Sequence, residues 1–443
     1  MKAFDVLEKL QRKYSHEPEY IQAVTEVFSS LVDVYEQNEQ FQKANVLERL
    51  ATPDKIITFQ VPWIDDTGNV NVNIGYRVQF NNVLGPYKGG LRFHPSVNIS
   101  ILKFLGFEQL FKNSLTTLPL GGAKGGADFD PKDKSDTEIM RFCQSFMLRL
   151  WTDIGHNIDV PAGDIGVGKR EIGYLYGMYK RLTRQHVGVI TGKGIDWGGS
   201  KIRPEATGYG VVYFAQKMLE IQNDTIVGKR VVVSGFGNVA WGVMKKIHEL
   251  GGCVVAISGP DGYVETKCGI SEDKIEFLQE LRATNNDVIQ PFAQKFDLPF
   301  YHHKKPWSVS CDIAIPCATQ NEIDEFDVES LLLSGCKYFV EGANMPCTHA
   351  ALKKIQSSPL IYAPGKASNA GGVAVSGLEM TQNSVRYTWA AEGVDDKLRR
   401  IMAEIHDTCV QYGRGANGTI DYVAGANIAS FMKVAHALCE LGV

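Results

Sequence analysis

The chain has 443 residues, a formal net charge of −4, 44% apolar and 22% charged residues. At roughly 150 residues per domain, that length predicts two or three domains with an ample core. The balance excludes a disordered or collagenous chain and a basic nucleic-acid binder, and no apolar run approaches the ~20 residues of a membrane span. Glycine is over-represented, at 44 residues. It serves tight turns and close approach of backbone to ligand, so the location of the excess is informative.

The N-terminus, Met1-Lys-Ala-Phe-Asp-Val-Leu-Glu-Lys-Leu, is charged and helix-like. It has neither the apolar core of a signal peptide nor the acid-poor character of a transit peptide. Apolar residues recur at helical spacing from Phe4 to Val34, which predicts helices over 2–50. Val70, Val72, Ile74, Tyr76, Val78 and Phe80 then alternate with Asn71, Asn73, Gly75, Arg77 and Gln79, the pattern of a half-buried strand. Residues 99–118 read as a long, mostly apolar helix, and Ser135-Asp-Thr-Glu138 as a capping box opening another.

From about residue 204 the pattern changes. Pro204 starts a helix running to Leu219, Lys229–Ser234 is a strand, and a helix follows to Leu250. Further strands are expected at Cys253–Ser258, Cys311–Ile315, Lys337–Val340 and Leu360–Tyr362, with helices again at Asp396–Val410 and Ile428–Leu441. Alternating strand and helix predicts a parallel, doubly wound sheet. The expected fold is therefore α/β. A mixed first domain spans 1–200 and a Rossmann-like dinucleotide-binding domain spans 201–419, meeting in the Gly- and Lys-rich stretch Thr191–Lys201.

Nine cysteines, an odd number without a Cys-x-x-Cys pair, predict reduced thiols in the cytoplasm rather than a disulfide framework or zinc site. The ten histidines show no ligand spacing beyond His302-His303 in a polar loop, so no metal is expected.

Gly235-Phe-Gly237-Asn-Val-Ala240 stands between a predicted strand and helix, the context in which Gly-x-Gly-x-x-Ala cradles a dinucleotide pyrophosphate. The helix N-terminus adds N–H donors and partial positive charge. No carboxylate stands at the tip of the second strand, Ala256-Ile-Ser258; Asp261 comes three residues later, after Gly-Pro. Ser258 suits a 2′-phosphate, and Lys132 or Lys134 would add charge, unless they are only a solvated turn. This leans towards NADP over NAD.

Three lysines have unusual surroundings. Lys88 and Lys124 are walled by glycines, and Lys112 shares a helix face with Gln109. Glycine gives a lysine no packing partner but lets a substrate approach. Were the three ammonium groups to converge, repulsion and burial would depress one pKa and make that lysine an acid–base group near neutral pH. The bland alternative is three unrelated surface lysines.

Pro86-Tyr-Lys-Gly-Gly-Leu-Arg-Phe-His-Pro95, Leu120-Gly-Gly-Ala-Lys-Gly-Gly126, Asp159-Val-Pro-Ala-Gly-Asp-Ile-Gly-Val-Gly168, Arg203-Pro-Glu-Ala-Thr-Gly-Tyr-Gly210, Gly235–Ala240 and Lys366-Ala-Ser-Asn-Ala-Gly-Gly-Val373 together resemble the small hexameric glutamate dehydrogenases of the Glu/Leu/Phe/Val dehydrogenase family. The resemblance runs from about residue 20 to the C-terminus. It implies reversible oxidative deamination of L-glutamate to 2-oxoglutarate and ammonium, with hydride passing to NAD(P) across a cleft between the domains. The first domain would bind substrate and oligomerise, joined by a C-terminal helix over about 420–443, and the chain would form a homohexamer. Gly371-Gly372 would be a hinge.

By the same resemblance Lys124 and Asp164 are the catalytic residues. Gln109, Lys112 and the backbone of Gly163 would hold the α-carboxylate, and Lys88 with Ser376 the distal one. Arg203, Thr207, Gly235, Phe236, Gly237, Asn238, Val239, Ser258, Asn344 and Asn369 would contact the cofactor. Related leucine and phenylalanine dehydrogenases carry an apolar residue where Lys88 stands, so Lys88 favours a dicarboxylate. The remaining alternatives are an NAD-specific glutamate dehydrogenase, a dehydrogenase of another amino acid, and a non-catalytic nucleotide-binding protein.

Overall fold

A computed structural model describes residues 2–266, 269–284 and 288–442. The chain divides into two compact units. One comprises Met1–Lys201, Ser376–Val394 and Asn427–Val443, the other Ile202–Val375 and Asp395–Ala426.

The first unit is built on five strands: β1 (Lys55–Ile64), β2 (Val70–Asn81), β3 (Tyr87–Phe93), β4 (Gly122–Ala127) and β5 (Asp159–Gly163), in the order β1-β2-β4-β3-β5. β1, β2 and β4 pair antiparallel, whereas β3 runs parallel to both β4 and β5. Two hydrophobic clusters surround this sheet. One gathers Val78 and Phe80 of β2 with the N-terminal helices, helix Ile99–Leu115 and Phe431, Val434 and Leu438 of the C-terminal helix Tyr422–Leu441. The other joins Val61, Trp63, Leu91 and Phe93 to helices Asp136–Leu150 and Lys169–Thr183. The capping box forms as the sequence predicts: Ser135 Oγ accepts from Glu138 N–H at 3.1 Å, and Glu138 Oε2 accepts from Ser135 N–H at 2.9 Å.

β2 departs from its sequence pattern. Its apolar residues Val70, Val72 and Ile74 are exposed, at 68%, 54% and 43%, while its polar Arg77 and Gln79 are buried. The cause is Asp159 on β5. Arg77 Nε and Nη2 reach its two oxygens at 2.9 and 2.5 Å, and Gln79 Nε2 donates to Oδ2 at 3.0 Å. Charge pairing turns the nominally wet face inward for half the strand.

A second difference concerns Ser376–Val394, which the sequence placed in the second domain and which joins the first unit. Helix Gly371–Val385 carries the reason. Glu379 accepts from Gly192 N–H, Gln382 Nε2 donates to Ser200 Oγ at 2.8 Å, and Asn383 Nδ2 donates to Gly198 O at 2.7 Å. These side chains dock residues 192–200 along the helix.

Among the described residues the second unit holds seven strands: β6 (Arg230–Val233), β7 (Cys253–Gly259), β8 (Gly262–Glu265), β9 (Phe300–His302), β10 (Ile313–Ile315), β11 (Tyr338–Val340) and β12 (Ile361–Ala363). Their order is β12-β11-β10-β6-β7-β8-β9. The five strands read from the sequence pair parallel, with the order reversing between β6 and β10. β8 is an unpredicted strand, antiparallel to both β7 and β9, so the sheet is mixed at one edge. The helix expected to begin at Pro204 begins at Ala206. It crosses helix Asn238–Glu249 so closely that a Cβ on Gly208 would lie 2.3 Å from Val239 O.

Candidate active site

β3 is the spine of the first site. Leu91 stands opposite Gly125 on β4 and Gly163 on β5, which brings Lys88, Lys124 and Asp164 onto adjacent strands or strand ends. Glycine is required at this seam. A Cβ on Gly89 would fall 1.6 Å from Ala123 O, and one on Gly90 2.9 Å from the Asp164 Cβ.

Lys124 is 5% exposed. Its Nζ lies 3.1 Å from Asp164 Oδ1, and Asp164 Oδ2 accepts from Arg92 Nε at 2.7 Å. Burial alone would raise the Asp164 carboxyl, but the Lys124 and Arg92 cations override it and hold it at about 2. Lys124 is shifted down from 10.5, chiefly by burial; Asp164 opposes this, and Arg92 and Arg77 add to it. Because Arg92 shares the carboxylate, Lys124 receives only part of its compensation. The sequence reading expected burial and repulsion among three lysines to lower one pKa; burial is the chief cause at Lys124, and the repelling cations are Arg92 and Arg77 rather than lysines. The ammonium is thus poised to release a proton, next to a carboxylate that stays ionised.

Lys88 is buried on β3 and donates to Thr191 Oγ1 at 2.9 Å. Thr191 and Ser376 share a hydrogen bond of 2.5 Å. The structure therefore joins Lys88 and Ser376 through a hydroxyl that the sequence reading missed. Gln109, on helix Ile99–Leu115, lies over β3, since its Cγ would be 3.3 Å from a Cβ on Gly89. Lys112 follows three residues later on the same helix. Gln109 Nε2 donates to Asn113 Oδ1 at 2.7 Å, and Asn113 Nδ2 donates to the carbonyls of Lys88 and Gly121, at 3.0 and 2.5 Å. Asn113 so ties the helix to β3 and to the residue just before β4. Gly163 closes β5, leading directly into Asp164.

Arg77, Arg92, Asn113, Asp159 and Thr191 went unread. Asp159 opens the Asp159–Gly168 motif, and Arg77 interrupts an alternating strand. Those were the available signals, but a pairing across 82 positions is not visible in a pattern.

The second unit brings Gly235, Gly237 and Ser258, expected to contact a dinucleotide, to the end of its sheet where strand order reverses. This is the point at which open α/β sheets bind ligands. Gly235 follows β6 at φ +75°, and its N–H donates to Ser258 Oγ at 3.2 Å. Gly237 caps helix Asn238–Glu249, with Asn238 and Val239 in its first turn. Phe236 is buried, and its ring edge would be 3.1 Å from a Cβ on Gly259. Asp261 is committed to backbone: its two oxygens accept from Ile289 and Gln290 N–H at 2.8 and 2.9 Å. Arg282, unread in the sequence, stands beside the turn, with Nη1 3.4 Å from where a Gly237 Cβ would be.

Asn369 Nδ2 donates to Asn344 Oδ1 at 3.0 Å and to Gly342 O at 3.1 Å, while the buried Asn369 Oδ1 has no partner. An orphaned buried acceptor is costly; the carboxamide N–H of a nicotinamide would satisfy it. Thr207 Oγ1 would be 2.4 Å from a Cβ on Gly372, and Arg203 Nη1 3.8 Å from the same point. The residues present fit a dinucleotide. Among the described residues no cluster of metal-ligating side chains occurs.

A buried lysine–carboxylate pair in one α/β unit and a dinucleotide turn at the switch point of another define a class of protein, the nicotinamide-dependent dehydrogenases that work through a lysine. Comparison with known proteins narrows the class. Residues 53–181 match the Glu/Leu/Phe/Val dehydrogenase dimerisation domain, and residues 198–442 the Glutamate/Leucine/Phenylalanine/Valine dehydrogenase domain. The chain is 56% identical over 439 residues to an NAD-specific glutamate dehydrogenase of Bacteroides fragilis, covering 99% of each. It is 51% identical over 438 residues to an NADP-specific glutamate dehydrogenase of Haemophilus influenzae, covering 99% of this chain and 98% of the relative. A solved glutamate dehydrogenase superposes with a TM-score of 0.97 at 52% identity, over 100% of this chain and 99% of the other. The chain belongs to the Glu/Leu/Phe/Val dehydrogenase family, and its fold is that of the family's small two-domain members.

Proposed function

We propose that this protein is a glutamate dehydrogenase: L-glutamate, water and NAD(P)+ give 2-oxoglutarate, ammonium and NAD(P)H. The observation that carries this reading is the buried Lys88–Thr191–Ser376 cluster beside the Lys124–Asp164 pair. A buried ammonium facing an aliphatic side chain would lose hydration without compensation, whereas a distal carboxylate repays it. Gln109, Lys112 and the Gly163 backbone would hold the α-carboxylate.

When bound, the dinucleotide supplies a hydride acceptor for the glutamate α-carbon. The rest falls to the chain. Neutral Lys124 takes a proton from the water that attacks the resulting imine, and as ammonium it polarises the carbonyl in the reverse direction. Asp164, ionised at neutral pH, stabilises the cationic nitrogen and passes protons to and from it through the 3.1 Å contact with Lys124. Burial keeps water from competing for these protons.

Which cofactor is used turns on the tip of β7. Ser258 and the nearby Arg282 support NADP, with Asp261 already committed to backbone and so withheld from a ribose diol. The second reading, NAD, is supported by the Phe236 ring against Gly259, an apolar surface unsuited to a 2′-phosphate dianion, and by the NAD-specific Bacteroides relative.

The protein would work as a cytoplasmic homohexamer, the first unit binding substrate and the second the dinucleotide. The exposed apolar residues of β1 and β2 support self-association. No helix among the described residues is long and apolar enough to cross a membrane.

Steady-state oxidation of glutamate, leucine and phenylalanine, each with NAD and with NADP, tests the whole reading. Glutamate is expected to be oxidised far faster than the others; equal or greater activity on leucine or phenylalanine would overturn it. The ratio of kcat/KM for the two dinucleotides decides the cofactor.

A further inference from the structure

Within the first unit, Lys193 and Glu379 form an ion pair, and both are buried. Lys193 Nζ lies 2.8 Å from Glu379 Oε1 and also donates to the Ile190 carbonyl. The Glu379 carboxylate further accepts from the N–H groups of Gly192 and Lys193, at 2.9 and 3.3 Å. The pair therefore grips the chain on both sides of Thr191, at the carbonyl before it and the N–H after it. Thr191 donates its own N–H to Pro161 O at 3.0 Å. With its backbone held at all three points, its hydroxyl is delivered to Lys88 Nζ and Ser376 Oγ. Glu379 sits three residues beyond Ser376 on helix Gly371–Val385, a spacing that places both on one helix face.

A buried ion pair is weak evidence of stability, because well-packed apolar residues of similar volume often do as well. What this pair supplies is geometry. It is also neutral as a unit, so it adds no net charge beside the lysine that would meet an anionic substrate.

We propose that Lys193 and Glu379 are positioning residues for recognition of the distal carboxylate: they fix Thr191 and Ser376 relative to the Lys88 ammonium and so set the preference for a second carboxylate over an uncharged side chain. The proposal rests on glutamate as the substrate.

The test compares glutamate with L-norvaline, which carries a methyl group in place of the distal carboxylate. The double variant Lys193→Met with Glu379→Met keeps volume and leaves no unpaired buried charge. It is expected to raise the KM for glutamate about tenfold, the scale of one lost hydrogen bond to a charged group, with kcat changed less than about twofold. The glutamate-to-norvaline ratio of kcat/KM should fall by a similar factor, and the KM for the dinucleotide should not move. If the double variant does not fold, Glu379→Gln provides the same comparison, with a smaller rise because an amide oxygen remains for the Gly192 N–H. Wild-type KM and wild-type selectivity would overturn the proposal, as would an equal loss on both substrates, the mark of a merely structural pair. A wild-type enzyme that does not prefer glutamate to norvaline would remove the glutamate reading itself, and the proposal with it.

Discussion

Burying a lysine is expensive unless a partner or ligand compensates, and the site buries both Lys88 and Lys124. Lys124 shares Asp164 with Arg92, and Lys88 meets the hydroxyl of Thr191. Replacing Lys88 with leucine should cut kcat/KM for glutamate by about 10²–10³-fold, the loss of one charge-assisted contact, and shift preference towards aliphatic amino acids; parallel assays with norvaline and leucine measure it. Asp164 gives a pH prediction. Its folded carboxyl titrates at about 2 against 3.8 ordinarily. It therefore contributes stability that is complete above about pH 4 and lost as pH falls through 2, worth about 2 kcal/mol. Urea unfolding at pH 5 and pH 2.5 should show that loss in the wild type and a smaller one in Asp164→Asn. At this scale the sequence exposed the lysines, because glycine neighbours mark them, and exposed Asp164 through its motif. Arg92 and Thr191 stayed hidden because their roles come from strand pairing and loop docking over long separations.

At the scale of elements, the buried Arg77–Asp159 fork fixes β2, β3 and β5 together, since Arg77 Nη1 also donates to Gly89 O at 3.1 Å, next to Lys88. Removing one partner strands the other charge. Asp159→Leu is expected to cost about 3–5 kcal/mol, and adding Arg77→Met should recover most of it; thermal unfolding of the single and double variants measures both. The N-terminal helices were legible from periodicity and the parallel strands of the second unit as short apolar runs, whereas the helices Glu272–Ala283, Gln290–Phe296, Glu325–Leu333 and His349–Gln356 went unread. β3, β4 and β5 were not legible, because Lys88-Gly-Gly and Gly-Ala-Lys-Gly-Gly carry no alternating pattern and glycine has low strand propensity. β8 was missed because Gly262-Tyr-Val-Glu265 carries only two apolar residues, side by side, and no alternation.

At the scale of the whole chain, composition and motif order gave two α/β units, while β2 showed where a pattern misleads. Its Val70, Val72 and Ile74, read as facing a core, lie exposed with Ile56 and Ile64 of β1, whereas Val78 and Phe80 reach it. Such a patch supports the proposed self-association. Val72→Glu, at a position 54% exposed, should leave the fold intact and lower the mass in light scattering below that of the wild-type oligomer; an unchanged mass would place the contact elsewhere. In the proposed reaction one buried lysine, Lys124, carries the proton chemistry of glutamate oxidation. Turnover of Lys124→Ala beside calorimetric binding of glutamate tests it most directly. Turnover should fall by at least about 10³-fold, with glutamate binding still measurable through Lys88 and Lys112. Turnover like that of the wild type would contradict this role for Lys124.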